Sequence, residues 1–208
     1  MTDVSTDGLS EKSRNRKNQV LDAAAKCFRE SGFHGSSIAR ISKMAGMSPG
    51  HIYYHFENKE AIVEALIARQ ENTILELFKD IAVGPSDEAL SSAMARYTRK
   101  MVDHHMDPDF VGLWLEIAAE SSRNPAVAKI LHFSHKKTEA LLEAQLQART
   151  GITQSVDLKK LRSVMHIIPI IFNGLSVYSS IWSEEDKTDK TVLTDNINEI
   201  IDHFLKGL

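Results

Sequence analysis

His51, Tyr53, Tyr54 and His55 crowd into five consecutive positions, directly behind the run Ser48-Pro49-Gly50. Imidazole and phenol groups at that density donate hydrogen bonds to base edges and phosphate oxygens, the chemistry of nucleic-acid contact. Lys59 follows at once, and Ser37 with Arg40 lies just ahead. Two other constellations carry different chemistry. His132 and His135, three apart, share a helical face and could chelate a metal together with His104 and His105, although solvated helix-end histidines are the commoner outcome. Glu116 and Glu120 also share a face. Pointing inward they would favour a cationic lipophilic ligand; pointing outward they are ordinary surface charge. No nucleophile elbow, phosphate loop or zinc-protease motif occurs, so no catalytic residue, metal or cofactor is assigned and no enzyme is expected.

The elements around the histidine-tyrosine run must hold it out to a partner. From Ser36 to Lys59 the chain reads SSIARISKMAGMSPGHIYYHFENK. Ile38, Ile41, Met44 and Ala45 repeat at helical spacing, and Gly46 ends that helix because glycine reaches the left-handed region without a Cβ clash. Ser48 is an N-cap and Pro49 fits the first helical position, so a second short helix begins there. Ile52 and Phe56 face inward, leaving His51, Tyr53, Tyr54 and His55 to face elsewhere. Two helices around a glycine turn, the second polar and aromatic, make a helix-turn-helix. A helix of that kind enters the major groove by its N-terminal end. Pro49, Gly50 and His51 are thus placed for bases, and Tyr53, Tyr54, His55 and Lys59 for phosphates, with Ser37 and Arg40 serving the preceding helix.

The run AGMSPGHIYYHFENKEAI, Ala45 to Ile62, closely resembles the signature of the tetracycline-repressor (TetR) family. The segment VLDAAAKCFRESGF ahead of it matches the same family's first helix, and the DNA-contact assignments above, Ser48 included, agree with that pattern position by position. The resemblance implies a ligand-responsive regulator of about nine helices that pairs through its last two long helices. Those would be Asp157–Trp182 and Thr194–Leu205, and the partners would be a near-palindromic operator in double-stranded DNA, a small-molecule effector and a second copy. The segment WLEIAAESSRNPAVAKIL resembles a body type shared by several such regulators and does not identify the effector. Repression relieved by the effector is the leading expectation; activation and effector-independent DNA binding are the alternatives.

The remaining chain agrees with an all-α architecture. Of 208 residues, 42% are hydrophobic, enough for a real core, and the net charge of −3 excludes a protein that is basic throughout. Basic residues cluster instead at Lys12, Arg14, Arg16 and Lys17, just ahead of the first helix. Met1–Ser10 reads as disordered, with a helix from about Ser13 to Ser31, closed by Gly32. The expected organisation is an arm at 1–12, a DNA-binding domain at 13–58 and an effector-binding and dimerisation domain at 59–208. A long helix leaves Lys59 with Asn58 as cap and stops at Gly84-Pro85. Ser86–His105 follows, then helices opened by Asp107-Pro108, Asn124-Pro125, Asp157 and Thr194. Val164–Ile171 is apolar but too short to span a bilayer, nothing directs export, and the single Cys27 permits no internal disulfide, so a cytoplasmic protein with no membrane partner is expected.

For the effector, Tyr97, Met101, Phe110, Trp114, Glu116, Phe133, His166, Phe172 and Tyr178 are the candidate lining, an apolar set with a few polar groups. A stripe of this composition is equally a description of plain core. On the reading above, Lys59→Ala should weaken binding to every DNA sequence and flatten its dependence on salt in a titration of operator DNA.

Overall fold

The computed structural model describes residues 5–83, 90–151, 155–183, 185 and 188–205. Among them lie nine helices and no strand, the all-α class expected. They are α1 (Ser5–Gly35), α2 (Ile38–Ala45), α3 (Pro49–His55), α4 (Lys59–Val83), α5 (Leu90–His105), α6 (Pro108–Ser121), α7 (Pro125–Thr150), α8 (Ser155–Ser179) and α9 (Lys190–Leu205). The Gly84-Pro85 stop and the Ser86 start lie outside the described residues.

Capping side chains set the boundaries that match expectation. Asn58 Oδ1 accepts from Ala61 N–H at 2.8 Å and opens α4. Asp107 Oδ1 accepts from Phe110 N–H at 2.9 Å, and Asn124 Oδ1 from Ala126 N–H at 3.1 Å, ahead of the prolines that begin α6 and α7. Gly151, at φ 66°, closes α7 in the left-handed conformation. Other boundaries differ for local reasons. α1 starts at Ser5 rather than near Ser13, since no proline interrupts a helix propagating back from its packed half. Gly32 breaks it at φ 68°, ψ 172° as expected, but helical turns resume to Gly35. α8 begins at Ser155, leaving Asp157 in the first turn where the dipole favours a carboxylate. It ends at Ser179, short of Trp182, because the hydroxyls of Ser179 and Ser180 bond to carbonyls three residues back. In α9 the cap is Asp189, whose Oδ1 accepts from Thr191 N–H at 2.7 Å. Thr194, expected as the cap, sits one turn inside with its hydroxyl bonded to the Lys190 carbonyl.

The chain divides into two compact units. The first holds residues 1–69 and 113–131. Its core joins Val20, Leu21, Ala24, Cys27 and Phe28 of α1 to Ile41, Ile52 and Phe56, to Ile62 and Leu66 of α4, and to Leu113 and Ile117 of α6. Cys27 is fully buried with Sγ 3.6 Å from Met44 Sδ, the small packing residue its neighbours imply. The second unit holds residues 70–112 and 132–208. There α5 packs on α8 and α9, and Phe78, Tyr97, Met101, Leu161, Phe172 and Ile201 form the core.

At the centre of the second core His105 is buried, stacked on Phe172 at 5.5 Å. Ser176 Oγ donates its proton to the His105 carbonyl at 3.2 Å, so the 2.8 Å contact at His105 Nδ1 is the ring N–H donating to that oxygen. Burial, and behind it the charge of His104, pushes the His105 imidazole down to about 3. A histidine depressed in the fold contributes stability that is complete above its unfolded value, near 6.5, and drains away as pH falls through that window. Between about pH 6.5 and 5, His105 should cost about 2 kcal/mol of unfolding free energy. Urea titrations at the two pH values should show that loss in the native sequence and a much smaller one in His105→Asn, which keeps a polar group near Ser176.

Candidate nucleic-acid interface

The seven-residue α3 is too short to hold itself, and its form is imposed from below and from both ends. At its start Ser48 adopts an extended backbone and its Oγ accepts from His51 N–H at 3.3 Å. Ahead of that cap, Gly46 takes φ 63°, ψ 33°, with its N–H on the Lys43 carbonyl. Met47 N–H reaches the Ser42 carbonyl at 3.0 Å, while Ser42 Oγ donates to the Met47 carbonyl at 2.5 Å. The turn between α2 and α3 is therefore tied in both directions, and the left-handed Gly46 makes it possible. From below, Ile52 and Phe56 are sunk in the core of the first unit.

What remains outside is the surface expected to meet DNA. Pro49, Gly50 and His51 are exposed at the start of α3, Tyr53 is 56% exposed and Tyr54 79%. Large aromatic rings held out on a rigid helix offer stacking area and a hydroxyl donor together. His55 is half-buried, edge-on to Tyr54 at 5.0 Å. Burial lowers its pKa, helped by the charges of Lys17 and His51. Lys17 lies with Nζ 5.5 Å from the Phe56 ring centroid, so a side chain read as part of a basic arm belongs beside the end of α3. Its only signal in the sequence is membership of the basic run.

At α2, Ser37 is the N-cap, its Oγ accepting from Arg40 N–H at 3.2 Å. The Arg40 guanidinium is exposed and 3.4 Å from Glu30. Lys59 is placed differently from the expectation. Its Nζ donates to the Phe33 carbonyl at 2.6 Å and lies 3.9 Å from the Phe33 ring centroid. Burial lowers the pKa of this ammonium, with Glu60 and Glu120 opposing. The charge expected at a phosphate is engaged inside the first unit.

The candidate effector residues separate into three groups. Tyr97, Met101, Phe110 and Phe172 do come together in the second core, around His105 and Ser176. His105 was legible as a member, since it follows Tyr97 and Met101 on one face of α5 at four-residue steps. Phe133, 72% exposed, Tyr178, 59% exposed, and His166 do not line that core, because each projects from the outer side of its helix. His166 Nε2 contacts Glu139 Oε1 at 2.5 Å instead. Trp114 and Glu116 lie in the first unit. There Glu116 accepts from the Phe33 N–H at 2.6 Å, and the buried Glu120 accepts from Arg123 Nε at 2.8 Å and Asn124 Nδ2 at 3.0 Å. Both carboxylates thus answer internal donors, which removes the reason to expect a cationic ligand. Among the described residues no three metal-ligating side chains converge, and His132 and His135 are exposed.

Residues 20–66 match the family model for bacterial regulatory proteins of the tetR family. The HTH-type transcriptional regulator UidR of Escherichia coli (strain K12) is 30% identical over 130 residues, covering 62% of this chain and 63% of UidR. The chain therefore spans less than two thirds of that relative's length. The fatty acid metabolism regulator protein of Bacillus subtilis (strain 168) is 24% identical over 195 residues, 90% of this chain and 94% of that protein. Among solved structures, Salmonella enterica GusR superimposes with a TM-score of 0.73 at 28% identity, covering 92% of this chain and 96% of GusR.

Buried and exposed sides of α3 should respond oppositely to truncation. Ile52→Ala is expected to destabilise the first unit by about 2–5 kcal/mol. Tyr54→Ala should leave stability within about 0.5 kcal/mol of the native value. Paired denaturant titrations of the two variants check this.

Proposed function

We propose that the chain, whose residues 20–66 match the model for bacterial regulatory proteins of the tetR family, is a DNA-binding transcriptional repressor of that kind, dimeric and released by a small molecule. The observation that carries the reading is the outer face of α3, where Pro49, Gly50, His51, Tyr53 and Tyr54 are exposed on a helix locked by Ile52 and Phe56. Presented to a major groove, that face offers Gly50 for close approach and His51 for base acceptors, with Tyr53, Tyr54 and His55 along the phosphates. Lys17 and Arg40 add charge at its margins. Residues 13–58 then carry recognition, and 59–208 the effector and pairing roles. The function is regulatory rather than catalytic, and it is exercised in the cytoplasm, where the DNA lies.

Pairing is supported by α8 and α9. Their inner sides bury Leu161, Phe172, Leu175 and Ile201, yet Ile170 and Ile181 are each 69% exposed, and Val177, Tyr178, Val192 and Ile200 are also outward. The 23-residue stretch Asp157–Ser179 is long and apolar enough to cross a membrane by length and composition alone. With α8 packed on α5 and α9, a second copy accounts better for its outer face than lipid does. A two-fold pair presents two copies of α3 to successive major grooves of a near-palindrome. The effector reading rests on Tyr97, Met101, Phe110 and Phe172 around His105. With His105 neutral and Tyr97 held protonated by burial, this surround suits an uncharged, largely apolar molecule.

A footprint on DNA flanking the chain's own gene should show a symmetric protected site. Size measurement should give twice the 23.3 kDa chain mass. Ile170→Asp should shift the protein to monomer and weaken operator binding by at least tenfold, on the order expected when one of two coupled half-sites is lost. A monomeric native protein that protects no DNA would sink the proposal.

A further inference from the structure

The two ends of the helix-turn-helix meet. Phe33, on the entry side, follows the break at Gly32; Lys59, on the exit side, is the first residue of α4. Lys59 Nζ donates to the Phe33 carbonyl at 2.6 Å and sits over the Phe33 ring, closing the segment at its base. From α6, Glu116 Oε1 accepts from the Phe33 N–H at 2.6 Å. Phe33 is thus gripped by a cation at its carbonyl and an anion at its N–H, both charge-assisted and partly buried bonds, roughly twice as strong as neutral ones. A neighbouring arrangement fixes the same corner of α6. Glu120 accepts from Arg123 and Asn124 and lies 3.2 Å from His34 Nε2, while Arg123 also reaches Glu116 at 3.8 Å. Gly32 is required for the approach: a Cβ there would lie 3.1 Å from Glu116 Oε1, on a backbone already at φ +68°.

We propose that Lys59 and Glu116 form a clasp on Phe33 that fixes the base of the helix-turn-helix, making both positioning residues for operator recognition. The proposal rests on the repressor reading above. It gives Lys59 a role distinct from phosphate contact, because a cation committed to a carbonyl and a ring does not neutralise a phosphate. The clasp also gives Glu116 an internal donor, as Arg123 and Asn124 do for Glu120. Loss of either partner frees the Phe33 backbone, the point where the end of α1 and the start of α4 are tied together. The pair of α3 helices in a dimer must match two grooves at once, so a small change of angle lowers affinity for the operator. Binding to random DNA, which needs only charge, is spared.

The test uses the full-length chain, with Lys59→Met, Glu116→Leu and the double variant. DNA affinity is measured by fluorescence anisotropy on the operator fragment and on a random duplex, across a salt series. Each single variant should lose on the order of tenfold in operator affinity. The double should lose no more than the singles, random-duplex affinity should be unchanged, and the salt slope should stay at the native value. Glu116→Gln, which keeps an acceptor for the Phe33 N–H, should recover most of the loss. A salt slope lower by about one in Lys59→Met, with equal losses on both duplexes, makes Lys59 a phosphate ligand and overturns the clasp. Losses that track the fraction unfolded in parallel melts reduce it to a stability contact and overturn it as well; Glu116→Gln, the mildest change, decides this if Lys59→Met folds poorly. Native protein that shows no preference for its operator overturns the repressor reading itself. Native preference that survives in every variant overturns only the clasp.

Discussion

Burial of Ile52 and Phe56 in the core of the first unit is the constraint on which the reading surface depends. Seven residues cannot sustain a helix in water, and α3 has neither the length nor the internal pairs to do so. Two apolar side chains at four-residue spacing, sunk in the cluster that also holds Val20, Ala24 and Phe28, supply what the backbone lacks. Because the same spacing places His51, Tyr53 and Tyr54 on the opposite side, one packing event both forms the helix and orients its polar face. The caps at Ser37 and Ser48 and the left-handed Gly46 then remove the remaining freedom at the turn.

The second unit answers to a different pair of demands. Its interior is dry enough to hold His105 neutral between Phe172 and Ser176, and its outer helices leave a broad apolar face uncovered. An interior of aromatic rings with one satisfied polar pair suits exchange of packing for an apolar guest. An uncovered face of isoleucine, valine and tyrosine suits a copy of itself. Both properties live on α8, whose inner side carries Phe172 and Ser176 and whose outer side carries Ile170 and Val177. On the function proposed above, one helix would serve both the effector and the second copy.

Much of this was legible in the chain because it depends on near neighbours. Asp107-Pro108 and Asn124-Pro125 announce α6 and α7, and Ser48-Pro49 announces α3, since a cap and the N–H that donates to it are only two or three residues apart. Thr194 misled for the same local reason: a threonine can cap a helix or bond back inside one, and here it does the latter. The failures at the site were long-range. Glu116 finds its donor 83 residues away, and Lys59 its acceptor 26 residues away, distances at which periodicity carries no information. Phe133 and Tyr178 failed for another reason. Composition shows that a helix is apolar, but not which of its apolar sides faces its own core and which a neighbour.

The bond between Lys59 and Phe33 has a consequence for how the first unit comes apart. It closes a loop containing all of α2 and α3. While it holds, neither helix can fray outward from its covalent connection, so partial opening of one without the other is suppressed. The two helices then behave as a single cooperative foldon, with amide protons in both exchanging through a shared opening event. Opening would be all-or-none at the level of the segment, not graded residue by residue.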